Sequence, residues 1–257
     1  LIEIDMLRDD KFDATYFSKS IAFKQAEAID NRKMTIMDMP RHEGRASRAS
    51  DLCTTSTQLS IMRYSRGDAI AEMRDTTVQM AQMLKLRQEV LASVTLEPSV
   101  RAMRERLDLG TLYENITCLT FMMALRFSLP ERLQVLGWIG HAGEDALLDR
   151  VALLMGDTDR QIAVKSKYPP VYGDLVSIFT AEASARKALL HKYVGGWYKR
   201  MKPIYWHNAH KGAEGAYFGY WCFEAALVAM LLDIDDSSLR GHPNYPGDLV
   251  EHYRRIS

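Results

Sequence analysis

Apolar positions along the chain recur with a helical period. Ile70, Met73, Thr77, Met80 and Leu84 fall on one stripe at alternating steps of three and four, with Arg74, Gln79 and Lys85 off it. Leu52, Thr55, Leu59 and Met62 make a similar stripe just upstream. Between the two, Arg66-Gly67-Asp68 offers a glycine to end one helix and an aspartate to cap the next, so the pair is predicted to form a helical hairpin. Leu112, Ile116, Leu119, Met123 and Phe127 form the most regular stripe, and Ser128-Leu129-Pro130-Glu131 beyond it is a capping box that opens another helix through Leu133, Leu136 and Ile139. Leu147, Val151 and Leu154 mark a further helix ending near Gly156. Lys165 to Gly173, with Pro169-Pro170, is predicted to be a loop, and Leu175, Ile178 and Phe179 restart a helix that Gly195-Gly196 closes. Phe218, Trp221, Ala225, Val228 and Leu232 place an apolar face on a central helix, where Ala226 and Ala229 are small enough for close packing.

No segment alternates apolar and polar residues over strand length, and no fixed-period repeat is present. The predicted fold is therefore all-α, an irregular multi-helix bundle. Leu96-Glu97-Pro98 interrupts the pattern, because a residue before proline is pushed out of helical geometry. It divides a smaller N-terminal helical region, 1–96, from a larger one, 97–257, on which it is expected to pack.

Composition narrows the function classes. Hydrophobic residues at 47% and charged residues at 26% put the chain among folded globular proteins rather than disordered ones. The 33 basic and 33 acidic residues cancel, and neither half of the chain carries an excess, so a phosphate backbone meets no bulk attraction and direct nucleic-acid binding is disfavoured. Cys53, Cys118 and Cys222 are odd in number, far apart and set in apolar helix faces, which fits free thiols in a reducing cytoplasm. The longest apolar stretch, Ala225 to Leu232, is too short to span a bilayer, and no signal-peptide pattern stands at Leu1.

Candidate chemistry is sparse. No phosphate-binding loop, dinucleotide fingerprint, nucleophile elbow or zincin motif occurs. His207 and His210, with Cys222 and Glu224 further on, are the nearest approach to a metal site, yet they lack a second closely spaced ligand pair, and no metal or cofactor is expected. Asp235 and Asp236 would suit a cation or acid-base work; as caps of a short helix at Ser237-Ser238-Leu239 they need no catalytic role, and Arg240 and His242 stand near enough to pair with them. A metal-dependent hydrolase built on His207, His210, Asp235 and Asp236 is thus the enzymatic alternative, and a helical protein-binding adaptor the other. Trp221 belongs to the apolar stripe, whereas Tyr217 and Tyr220 are less committed and are candidate contact residues.

Two stretches resemble a known family. Arg63-Tyr64-Ser65-Arg66-Gly67-Asp68-Ala69-Ile70, after a helix containing Tyr16-Phe17 and Ile21, is similar to the N-terminal region of the immunity proteins paired with polymorphic nuclease effectors, the PoNi-like proteins. The run from Tyr217 through Trp221 and Glu224 to Ala226, then Leu232 to Arg240 with Asp235 and Asp236, then His242-Pro243 to Val250, resembles their C-terminal signature. Cys222 departs from it, standing where a small residue is expected, and Pro98 to Gly215 carries no matching motif. The resemblance implies a non-enzymatic cytoplasmic antitoxin that neutralises a cognate toxin by stoichiometric occlusion, the toxin being a DNase delivered by a type VI secretion system. No membrane partner is implied, and a homodimer is compatible. Shared motifs serve the common fold, so Arg63, Tyr64, Arg66, Gly67, Asp68, Trp221, Glu224, Asp235, Asp236, Arg240, His242 and Pro243 are expected to be structural. Partner choice would then reside in the unmatched middle, where Glu144, Asp145, Asp149, Asp157 and Asp159 form the most acidic stretch and would oppose a nuclease's basic surface.

Overall fold

The structure, a computed structural model, describes residues 7–256, so Leu1 and its surroundings lie outside the described residues. The protein is all-helical, with no strand among the described residues. The chain forms two compact units: Leu1–Asp108 with Asn208–Gly219, and Leu109–His207 with Tyr220–Ser257.

The first unit opens with α1 (Ala14–Phe23), capped by Asp13, whose carboxylate accepts from the Tyr16 amide at 2.8 Å. The helix continues through a π-helical stretch, Lys24–Asn31, into α2 (Arg32–Thr35). The hairpin read from the apolar stripes is formed by α3 (His42–Arg66) and α4 (Arg74–Ser93), and every stripe residue on both helices is buried. Gly67 ends α3 in the left-handed region, φ 100°, as expected of that residue type. Asp68 differs from expectation. Its carboxylate caps no helix but is claimed by the guanidinium groups of Arg63 and Arg66, at 2.7 Å each, because charged donors outbid backbone amides. The loop at Leu96-Glu97-Pro98 is present, and Pro98 starts α5 (Pro98–Glu105), a position where the missing N–H is no loss. The unit extends to Asp108 and takes in the segment before Tyr220: the Tyr16 hydroxyl donates to the Tyr217 carbonyl at 2.8 Å and the Ser65 hydroxyl to that of Phe218 at 2.8 Å.

The second unit comprises α6 (Leu109–Ala124), α7 (Leu129–Ile139), α8 (Ala146–Leu154), α9 (Pro169–Ile178), α10 (Ala183–Arg200), α11 (Phe223–Leu231) and α12 (Gly247–Arg255). The capping box of Ser128 and Glu131 is formed. Helix α11 is buried through Met230 and packs on α6, α12, α10 and α8, which makes it the core helix that its apolar residues on all sides require. It is shorter than predicted. Phe218 and Trp221 precede it in non-helical backbone, tied by the Tyr113 hydroxyl to the Trp221 carbonyl at 3.1 Å and the Cys222 amide to the Asn244 carbonyl at 2.8 Å. Two further expectations are corrected. Pro169 and Pro170 are not loop residues but the first turn of α9, where their fixed φ suits the helix. Gly195 and Gly196 do not end a helix; α10 runs through them, and the break lies at 179–182. A Cβ on Gly196 would sit 2.5 Å from the Arg200 guanidinium, so this glycine makes room for Arg200 to reach the Tyr193 carbonyl at 3.1 Å.

Candidate interaction surface

The acidic stretch begins where α7 stops. Gly140 and His141 both adopt positive φ, 68° and 58°, and turn the chain toward α8. Asp145 then caps α8: one oxygen accepts from the amides of Leu147 and Leu148 at 2.9 and 3.1 Å. Its other oxygen accepts from the Ser166 hydroxyl at 2.8 Å and the Lys167 amide at 2.7 Å. One turn on, Asp149 accepts from Arg160 Nε at 2.8 Å and from the amides of Ala163 and Gly143 at 3.0 and 3.2 Å. Arg160 also reaches the Gly140 carbonyl at 2.7 Å. Asp145, Asp149 and Arg160 are all buried.

This geometry divides the five acids that the sequence singled out as toxin contacts. Asp145 and Asp149 have no face toward solvent, since each holds several internal donors. Glu144 and Asp159 are exposed, and Asp157 is partly so at 3.6 Å from Arg160. Burial works to raise the Glu144 carboxyl, but hydrogen bonds from His141 at 2.9 Å and Lys167 at 3.0 Å outweigh it and hold the group below the usual range. Tyr217 and Tyr220, the aromatic contact candidates, are buried. Tyr217 hydrogen-bonds the Asp9 carboxylate inside the first unit, and the Tyr220 ring lies 4.9 Å from Tyr198 and 5.5 Å from Trp206 inside the second. Neither presents its ring to a partner in this conformation.

The motif residues are engaged within their own units. In the first, Arg63 bridges Asp68 and Asp75, Arg66 grips Asp68, and Tyr64 is buried under the Arg8 guanidinium at 4.6 Å. In the second, Trp221 is buried and Glu224 lies fully inside, accepting from Trp197 Nε1 at 2.5 Å and the Tyr193 hydroxyl at 3.1 Å. Burial pushes the Glu224 carboxyl up to about 7. Asp236 is buried between Arg254 at 2.5 Å and the Tyr245 hydroxyl at 3.0 Å. It is Asp235, not Asp236, whose side chain caps the short Ser237–Leu239 turn, accepting the Ser237 amide at 3.0 Å and Lys187 at 2.5 Å. Arg240 stands exposed, 4.0 Å from Asp236 and 3.9 Å from Glu251. His242 accepts from the Asn244 amide at 3.2 Å beside exposed Pro243, and Asn244 in turn donates to the Tyr220 carbonyl at 2.9 Å.

Among the described residues no group of three or more His, Cys, Asp or Glu is arranged to hold a metal ion. His207 stacks on Tyr198 at 4.6 Å, His210 meets the Tyr217 ring edge at 6.3 Å, and Cys222 and Glu224 are buried. The three cysteines are buried and form no disulfide with one another, and burial raises the Cys118 thiol to about 12, far from a reactive thiolate. No helix among the described residues is long and apolar enough to cross a membrane.

Sequence reasoning missed Arg160, Ser166 and Val164. The first two touch acids 11 and 21 positions away, a spacing that no helical or strand period announces. Val164 ends the short apolar run Ile162-Ala163-Val164 and is 98% exposed.

Comparison with known proteins now adds identity. Residues 143–249 match the family model described as PoNe immunity proteins (PoNi), C-terminal. No curated protein matches the chain. Protein PA2201 from Pseudomonas aeruginosa, known as a crystal structure, is similar over 97% of this chain and 91% of its own, with a TM-score of 0.72 and 17% identity. At that identity the likeness speaks for the fold alone. The family match bears out the resemblance to PoNi-like immunity proteins and supports a protein that binds a cognate nuclease toxin. It also corrects one premise: the match starts at Gly143, so the acidic stretch lies inside the family-matched segment, not outside it.

Proposed function

We propose that this PoNi-like protein is a stoichiometric antitoxin that occludes a DNase effector delivered by a type VI secretion system, and that it acts in the cytoplasm without catalysis of its own. The family match over residues 143–249 carries this reading. Occlusion needs an interface of standard size, on the order of 1,600 Å² in total, with a few buried anchors inside a polar rim. Glu144, Asp157 and Asp159 supply surface carboxylates suited to a nuclease's cationic surface, and they would speed encounter as well as select the partner.

The test is co-expression with the product of the neighbouring gene, scored by growth and by co-purification. The expected result is rescue from a lethal neighbour, with a complex of fixed stoichiometry. A harmless neighbour that leaves no complex would overturn the reading. Replacing the toxin's nucleic-acid substrate class in a cleavage assay separates DNase from other nuclease chemistry, and inhibition should saturate at a fixed molar ratio.

A further inference from the structure

We infer that the cavity between the end of α1 and residues 214–215 binds a small planar anion, of the class of a nucleoside monophosphate, which Lys19 and Lys24 hold by charge and Phe23 by stacking. The site goes beyond the antitoxin reading and does not depend on it.

The cavity has a volume of about 320 Å³, at the lower end of the range that small-molecule sites occupy. Lys19, Ser20, Phe23 and Lys24 line it from one segment, and Glu214 and Gly215 from the other. Both segments belong to the first unit. The Tyr16 hydroxyl ties them together, donating to the Tyr217 carbonyl at 2.8 Å and accepting from the Tyr217 amide at 3.1 Å. The walls are therefore built before a ligand arrives.

Their charge is uncompensated. Lys24 Nζ donates to the neutral Gln58 amide oxygen at 2.8 Å, and among the described residues neither Lys24 nor Lys19 has a carboxylate within ion-pair distance. Burial and the nearby Arg32 both lower the Lys24 ammonium below its usual range, so the charge acting on this amine is positive. Glu214 is exposed and does not offset it. A half-buried ammonium without a counter-charge is unfavourable, and an anion in the cavity relieves that penalty.

Shape adds a second constraint. Phe23 is 64% exposed and gives the cavity an aromatic wall beside the amines. A lone exposed phenylalanine is common on surfaces, but a ring set next to two amines without counter-ions matches a ligand that joins a planar π-system to an anionic group. Glu214, from the other segment, suits the hydroxyl or amino donors of a nucleoside. Backbone geometry points to the same place. The helix leaves α geometry at Lys24 for the π-helical stretch Lys24–Asn31, a rare form that is frequent at functional sites.

The test titrates the full chain with adenosine monophosphate, adenosine and inorganic phosphate by calorimetry, for the wild type, F23A, K19M, K24M and K192M. Lys192 is exposed on α10 in the second unit and serves as the control. The nucleotide is expected to bind at one site with a dissociation constant on the order of 0.1–1 mM, and adenosine and phosphate each about tenfold or more weakly. K24M is expected to weaken the nucleotide by about tenfold, F23A and K19M by about fivefold, and K192M not at all. Circular dichroism establishes that each variant is folded; if K24M is not, F23A and K19M decide. Absence of nucleotide binding, binding that F23A and the folded lysine variants leave unchanged, or phosphate alone binding as tightly as the nucleotide overturns the inference. None of these outcomes touches the antitoxin reading, which co-expression with the toxin tests separately.

Discussion

Each unit contains a cluster in which arginine meets buried aspartate, and the two clusters hold different things. In the first, Asp68 is gripped by Arg63 and Arg66, and Arg63 continues to Asp75 at the surface. Arg63 and Arg66 end one helix, Asp68 lies in the turn and Asp75 stands at the start of the next, and Gly67 has already turned the chain there. The cluster reinforces a turn that the backbone dictates. In the second unit, Asp149 and Arg160 pair with side-chain accessibilities of 0% and 3%, and what they hold is the long connection from α8 to α9. The same chemistry thus closes a short turn in one unit and pins a long connection in the other.

The largest effect should separate the two. Asp149→Ala leaves Arg160 buried without its carboxylate and strips an acceptor from the amides of Gly143 and Ala163, so a loss of about 3–5 kcal/mol is expected. Asp68→Ala leaves Arg63 still paired with Asp75 and Arg66 near Ser18 at 3.2 Å, both partly in solvent, and should lose about 1–3 kcal/mol. All four tryptophans, Trp138, Trp197, Trp206 and Trp221, belong to the second unit, so their fluorescence in a urea titration reads that unit, while circular dichroism reads the helices of both. Equal losses for the two substitutions would erase the distinction.

Next in size is a pH effect confined to the second unit. Burial raises the Glu224 carboxyl to about 7, against the hydrogen bonds of Trp197 and Tyr193. A raised carboxyl means that the native state binds a proton that the unfolded chain has already released, so stability falls as pH rises. The contribution is full below roughly pH 4.5 and is lost by about pH 7, with an upper bound on the order of 3 kcal/mol. Glu224→Gln imitates the protonated form, and its fluorescence midpoint should lose this slope. A slope that persists unchanged assigns it to another group.

Much of this fold is legible in the sequence because amphipathic helices advertise themselves: the α3–α4 hairpin, α6 and the capping box at Ser128 follow from periodicity and local chemistry. Errors arose where tertiary context overrode a local rule. Gly195 and Gly196 look like a stop but sit in mid-helix because Arg200 needs the space, and Asp68 looks like a cap but is taken by two cations. Trp221 fits a helical stripe yet belongs to non-helical backbone, since a buried residue next to a short core helix satisfies the same pattern. The candidate surface was half legible. A cluster of acids is visible in sequence, but which of them face inward depends on Arg160 and Ser166, whose partners only the fold brings close.

A smaller effect tests whether the loop is built for its start. Gly156 has φ 113°, and a Cβ there would come within 2.2 Å of the Leu129 side chain. Gly156→Ala should therefore lose about 1–2 kcal/mol through backbone strain, with the leucine free to swing aside. If toxin binding falls more than stability accounts for, the position of this first turn matters to the partner. If binding follows stability, the anchoring by Asp145 and Asp149 suffices.

The smallest effect bears on the family motif itself. Arg240 is part of the C-terminal signature, yet its guanidinium is half exposed and its two carboxylate neighbours stand at 3.9 and 4.0 Å, too long for strong charge-assisted hydrogen bonds. Arg240→Ala should shift the unfolding midpoint by no more than about 0.5 kcal/mol, because an exposed pair gains little against solvent and side-chain entropy. Protection against the toxin should also be unchanged if the C-terminal signature serves the fold alone. A stable Arg240→Ala variant that fails to protect would mean that the signature face meets the toxin.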